Sequence, residues 1–296
     1  MHPDRHAAAT NWFLFLVSSF IWGTTWLVIK FQLGVVAPQV SVAYRFGLAS
    51  ALLFAWCVLR RIPLRFDPET HLNLLVQGVF QFALNYVLVY LAEVHLTSGL
   101  VALVFGLMVL WNLTGARIFY GTPISPAVAV GAALGLVGVT LVLWPDLSHV
   151  RPGSGQGWGI ALAVAGSLAS STGNLWSQRM YRRGAEVIPS TAWAMLYGAA
   201  AVALYCAVRG IRFTFDASPH YVASLAYLAL FGSVFAFVAY LTLIRRIGAG
   251  PSGYSSVVIP VLAMATSTVF EGYQWSAAPL AGMALVLFGN VLMLRR

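Results

Sequence analysis

Charge is scarce in this chain. Only 8% of its 296 residues are Asp, Glu, Lys or Arg, where a soluble domain carries roughly a quarter. So few charges cannot cover an apolar chain of this length in water. Acidic residues are rarer than basic ones, 8 against 17, and none falls at the centre of an apolar segment. A buried titratable group of the kind that proton-coupled carriers use is therefore not legible. Cysteine is nearly absent. Cys57 and Cys206 give no disulfide framework and no metal spacing, and both read as small apolar residues. Long polar stretches are missing too, which leaves no room for a soluble catalytic domain. The chain carries no Gly-x-Ser-x-Gly elbow, no His-Glu-x-x-His and no Walker phosphate loop. We therefore expect no enzyme, no ATP-driven pump, no cofactor and no metal.

What is present is apolar. Sixty per cent of the residues are hydrophobic and the mean hydropathy is +0.82, so lipid is the solvent. The net charge of +9 invites a nucleic-acid reading. Its residues lie scattered in loops that anchor topology, and no nucleic-acid partner is expected.

The hydrophobic pattern predicts an all-α integral membrane protein of ten transmembrane helices. The expected spans are Trp12–Ile29, Pro38–Leu59, Leu72–Glu93, Ser98–Arg117, Pro126–Trp144, Trp158–Gln178, Pro189–Val208, Tyr221–Ile244, Gly253–Phe270 and Pro279–Leu294. Trp12–Ile29 is as long as a span requires and no small-residue cleavage site follows it, so it is expected to stay as the first span rather than to leave as a signal.

The pattern repeats. Gly131–Gly138 resembles Gly282–Gly289, and Gly99–Gly106 lines up with Gly253–Pro260. This divides the chain into a first five-helix repeat at 1–144, an external linker at 145–157 and a second repeat at 158–296. Five spans cross the bilayer an odd number of times, so the second copy lies inverted. Inverted repeats place a substrate site at their interface near the midplane. With the N-terminus cytoplasmic, the inner side collects twelve arginines and the outer side only Lys30, Arg151, Arg209 and Arg212. That bias places both termini in the cytoplasm.

Polar residues within spans are costly and mark pathways or packing seams. In the third span Asn73, Gln77, Gln81 and Asn85 recur every four residues, and Tyr86, Tyr90 and Glu93 continue the line. Such spacing keeps side chains on one helix face, a stripe about 30 Å long. It lines a water-filled path or serves interhelical hydrogen bonding. Trp22 sits mid-span, where a membrane-anchoring indole is not expected. It reads as a cavity wall, whereas Trp12, Trp144, Trp158 and Trp275 lie near span ends as belt aromatics. The sixth span offers Ser167, Ser170, Ser171, Asn174 and Gln178, the fourth Trp111 and Asn112, and the eighth Tyr240 and Ser233. Gly106 and its counterpart Pro260 are candidate hinges, since proline removes a helical hydrogen bond. Gly131, Gly135 and Gly138 read as close-packing positions. Arg45 enters the second span, where it snorkels, pairs with Glu93 or Glu271, or binds a substrate carboxylate.

The paired halves, the two glycine-bearing segments and the opening Ser18-Ser-Phe-Ile-Trp-Gly-Thr-Thr-Trp26 resemble the drug/metabolite transporter superfamily, in particular its EamA-type members. Within it the chain looks most like the YddG group of aromatic amino-acid exporters. Gly106 departs from the more typical proline, and the sixth span lacks the Trp-Gly pair of the first. The resemblance implies a central cavity between the halves and export of amino acids and related metabolites across the bacterial inner membrane.

Trp22, Tyr86, Tyr90, Trp111 and Tyr240 are then expected to hold the apolar part of a neutral or aromatic amino acid. Gln77, Gln81, Asn85, Asn112 and Asn174 are expected to hold its zwitterionic end. The alternative cargo is a drug, a quaternary amine or another metabolite. Beyond substrate and membrane lipid, the oligomeric state stays open between monomer and homodimer.

Overall fold

A computed structural model describes residues 5–148, 155–253, 255 and 258–294. Among the described residues every regular element is helical. The helices are α1 (Arg5–Lys30), α2 (Pro38–Leu59), α3 (Pro68–His95), α4 (Ser98–Tyr120), α5 (Pro126–Ser148), α6 (Gly155–Arg182), α7 (Val187–Val208), α8 (Pro219–Ile247), the short α9 (Ala249–Ser252), α10 (Val258–Phe270) and α11 (Ala277–Leu294). Six of these are long and apolar enough to cross a membrane, namely α2, α3, α4, α7, α8 and the Ala8–Lys30 part of α1. Shorter apolar stretches lie at Pro126–Val142, Ile259–Phe270 and Ala277–Gly289. α6 has the length, but its serines and amides depress its hydropathy. They are tolerated because Ser167, Ser170, Ser171, Asn174, Ser177 and Gln178 all face into the protein.

The helix ends follow local chemistry. Asp67 caps α3, accepting the Thr70 N–H at 2.9 Å and the Thr70 hydroxyl at 2.6 Å, with Pro68 in the first turn where no N–H is needed. The two Thr70 hydrogen bonds hold the Asp67 carboxyl below the usual carboxylate range. α4 ends on Gly121, whose φ of 67° is a left-handed conformation that glycine adopts without strain.

Small residues set how closely the helices approach, as expected where lipid removes the hydrophobic drive for association. α5 packs on α11, and a Cβ on Gly138 would lie 2.5 Å from the Gly282 carbonyl, as would one on Gly289 from the Gly131 carbonyl. The pairs 138–282 and 131–289 run in opposite senses, so the helices are antiparallel. Gly131 and Gly138 therefore serve packing within the chain, while a Cβ on Gly135 would meet nothing within 4 Å. Likewise α3 meets α7 where a Cβ on Gly78 would lie 2.4 Å from the Ala194 carbonyl.

Two helices lose regular winding midway. α3 is π-helical over Gly78–Leu84 and α8 over Leu228–Phe235. π segments of this kind cluster at functional sites, and these two lie beside the central cavity. α4 is interrupted at Gly106–Leu107. Of the span expected from Gly253, residues 254, 256 and 257 lie outside the described residues, and helix α10 is described over Val258–Phe270, with Pro260 in it. Trp12, Trp144 and Trp158 are all exposed. Of the expected 145–157 linker, residues 149–154 lie outside the described residues, while 145–148 end α5 and 155–157 open α6.

Candidate functional site

The stripe on α3 begins as a seam. The Trp176 indole donates to Asn73 Oδ1 at 3.0 Å, and Gln77 Nε2 donates to Ser177 Oγ at 2.7 Å and to Gln81 Oε1 at 3.0 Å. These bonds stitch α3 to α6. Gly173 on α6 makes the approach close, since a Cβ there would lie 2.5 Å from Gln81 Cβ. Through the π segment the stripe then turns from the α6 seam to open space.

That space is a small cavity of about 50 Å³ walled by α1, α3, α4, α6, α8 and α10. The structure brings together Trp22, Gln81, Asn85, Tyr86, Asn174 and Tyr240 on its wall, with Gly106 and Pro260 facing each other across it. A Cβ on Gly106 would lie 3.9 Å from Pro260 Cγ. Among the described residues, none on the wall carries a formal charge.

One side of the cavity is amide. Gln81 Nε2 donates to Asn174 Oδ1 at 2.6 Å, and Asn174 Nδ2 reaches Tyr240 OH at 3.2 Å and Asn112 Oδ1 at 3.5 Å. Asn85 Nδ2 bonds back to the Gln81 carbonyl at 3.2 Å, which leaves its buried Oδ1 without a donor among the described residues. The other side is aromatic. Trp22 packs edge-on against Phe237 and Tyr240, each with centroids 4.9 Å away, and its indole donates to the Gly232 carbonyl at 3.1 Å. That carbonyl belongs to the π segment of α8. Trp26 meets Phe105 edge-on at 5.3 Å, and its buried Nε1 has no acceptor among the described residues.

Four expected residues lie off the wall. Gln77 and Asn112 stand behind it and hold Gln81 and Asn174. Trp111 is half-buried and donates to Ser167 Oγ at 3.0 Å. Tyr90 is fully buried and donates to Gln32 Oε1 at 2.7 Å. The wall also includes Phe105, Met108, Phe237 and Ile259, for which the sequence offers no signal. An apolar side chain facing a cavity and one facing lipid have the same hydropathy.

Arg45 corrects an expectation. It is fully buried and does not snorkel, and it makes no ion pair with Glu93 or Glu271 among the described residues. Its Nε donates to Ser233 Oγ at 2.9 Å, and its guanidinium stacks 4.6 Å from the Tyr86 ring centroid. It thus braces a wall residue from outside the cavity.

The site is thus a polar-and-aromatic cavity enclosed among largely apolar helices. The EamA-like transporter family model matches residues 11–144 and again 157–295, and the chain belongs to that family of membrane transporters. It is 30% identical over 277 residues to the uncharacterized inner membrane transporter YedA of Escherichia coli K12, covering 92% of this chain and 86% of the relative. It is 25% identical over 271 residues to the protein PagO of Salmonella typhimurium, covering 89% and 86%. A solved crystal structure shares the fold with a TM-score of 0.75 at 20% identity, covering 96% of both chains.

Proposed function

We propose that this protein exports neutral and aromatic amino acids, or closely related metabolites, across the bacterial inner membrane by alternating access. The observation that carries the reading is the pairing of two unmet polar groups on a charge-free aromatic wall. Among the described residues Asn85 Oδ1 has no donor and Trp26 Nε1 no acceptor. Buried polar groups normally find partners, and a zwitterion supplies both, its ammonium to Asn85 and its carboxylate to Trp26. A wall without formal charge suits a solute with no net charge, and Trp22, Tyr86 and Tyr240 give an apolar side chain flat faces to pack on.

Alternating access requires two packings of the same bundle. We infer that residues 1–144 and 158–296 form inverted five-helix halves that rock about the cavity. Support comes from the family model matching twice, the antiparallel glycine contact of α5 with α11, and a π segment at the corresponding place in each half. The twelve-to-four arginine and lysine bias supports cytoplasmic termini.

The aromatic wall also favours a second cargo, a quaternary amine held by cation–π attraction. Binding of radiolabelled phenylalanine to the purified protein separates the two. We expect saturable binding displaced by tryptophan and methionine but not by a tetraalkylammonium ion. Displacement only by the ammonium ion, with no amino-acid binding, overturns the reading.

A further inference from the structure

One end of the bundle is tied by a knot of four elements. Lys30, the last residue of α1, donates to the main-chain carbonyls of Glu93 and Leu96, both at 2.6 Å, the end of α3 where a cation is favoured. The same ammonium lies 3.7 Å from Glu271, just past α10. Glu271 in turn accepts the Ser98 N–H at 3.0 Å and the Ser98 hydroxyl at 3.1 Å at the start of α4. Every donor here serves Glu271 or a carbonyl. The Glu93 side chain is fully buried beneath the knot, and neither of its oxygens has a donor among the described residues.

An ionised carboxylate buried without a donor costs several kcal/mol, which such groups avoid by holding a proton. The charged and titratable groups around it are Lys30 on α1, Arg45 on α2, Glu271 beyond α10 and Tyr90 on α3 itself; the two cations stand close but otherwise engaged, and Glu271 opposes a charge there. His95 faces α6 at Gly155 and Gly159 instead. Arg45 keeps one buried Nη2 without an acceptor, as does Gln32 its Nε2. Arg45 also touches the cavity wall through Tyr86 and, through Ser233, the π segment that receives Trp22.

We propose that Glu93 is a proton-binding switch that couples opening of this end of the transporter to proton release. With Glu93 as the neutral acid, Lys30 is free to bridge the end of α3 to Glu271 and the end stays shut. When the O–H bond breaks, the proton passes to water on that side and the carboxylate keeps the electron pair. The new charge competes for Lys30 and for the spare N–H of Arg45. The Lys30–Glu271 contact then loosens, and the pull on Arg45 reaches Tyr86 at the substrate wall. The switch rests on the transporter reading but not on the choice of cargo.

Infrared spectroscopy of the purified full-length protein, wild type against Glu93→Gln, reads the proton without any substrate. At neutral pH, where exposed carboxylates are ionised, the wild type is expected to show a protonated-carboxyl C=O band that fades on alkaline titration and is missing from the variant. Counterflow of radiolabelled phenylalanine in proteoliposomes then reads the consequence. The wild-type rate is expected to rise with pH, by up to about tenfold per unit for a single titrating group, while the Glu93→Gln rate varies less than about twofold. A wild type with no such band, a band that persists in Glu93→Gln, or a variant that keeps the wild-type pH profile overturns the switch. The infrared titration of the wild type decides the question even if the variant fails to assemble. An intact Glu93 band with no amino-acid flux supports the switch and faults only the cargo.

Discussion

Gln81 on α3 and Asn174 on α6 share a 2.6 Å hydrogen bond at the edge of the cavity, and each is fully buried. Both also line the cavity, so the contact that joins two helices is the same contact a solute meets. Gln81→Leu leaves the Asn174 carbonyl oxygen without its donor, at a cost of about 1–3 kcal/mol. We expect transport to fall about tenfold or more while insertion and helical content stay intact, as measured by counterflow and circular dichroism on the same preparation.

Trp22 offers a face to the cavity and an N–H to the Gly232 carbonyl. Trp22→Phe keeps a ring and loses one hydrogen bond worth about 1 kcal/mol, so substrate affinity should weaken about fivefold. Trp22→Ala also removes the edge-on packing on Phe237 and Tyr240 and should weaken binding further. Equal affinities for the two variants would separate the indole ring from recognition.

The glycines of α5 are not equivalent. Gly138→Val places a side chain where the Gly282 carbonyl already lies, an overpacking that costs about 1–3 kcal/mol or more. Gly135→Ala meets nothing within 4 Å and should be neutral or stabilising by about 0.5–1 kcal/mol. Thermal unfolding in detergent should show a lower Tm for the first variant and an equal or higher one for the second.

Asp67 gives a pH signature separate from Glu93. Its carboxyl is held low by the Thr70 hydrogen bonds in the folded protein. A depressed folded-state value means that the ionised cap stabilises fully above the unfolded-state value. That contribution is lost as pH falls through the folded-state value. The Tm difference between wild type and Asp67→Ala should therefore shrink with acidification below the ordinary carboxylate range. Asp67→Asn, which caps without ionising, should not show that acid-dependent loss.

Much of this architecture is legible in the sequence, and the failures have physical causes. Pro38–Leu59 is read to the residue because a proline opens it and Arg60 and Arg61 close it. The four-residue polar stripe is legible because amides inside apolar helices stand out. The sequence does not show that Asn73 and Gln77 face α6 while Gln81, Asn85 and Tyr86 reach the cavity. A π segment changes the register between them, and Gly78–Leu84 carries no compositional mark of it. The role of Arg45 is hidden for a related reason. Its partners Ser233 and Tyr86 come from other parts of the chain, and hydropathy along one helix holds no information about them.

The most direct test of the central claim is counterflow in proteoliposomes containing wild-type protein or Asn174→Leu, with no pH gradient imposed. The panel is phenylalanine, tryptophan, threonine, methionine, a nucleotide sugar and a quaternary amine. The account predicts saturable flux of the aromatic and neutral amino acids in the wild type and a fall of about tenfold or more in the variant. Flux of the quaternary amine or nucleotide sugar alone, or amino-acid flux indifferent to Asn174, would contradict it.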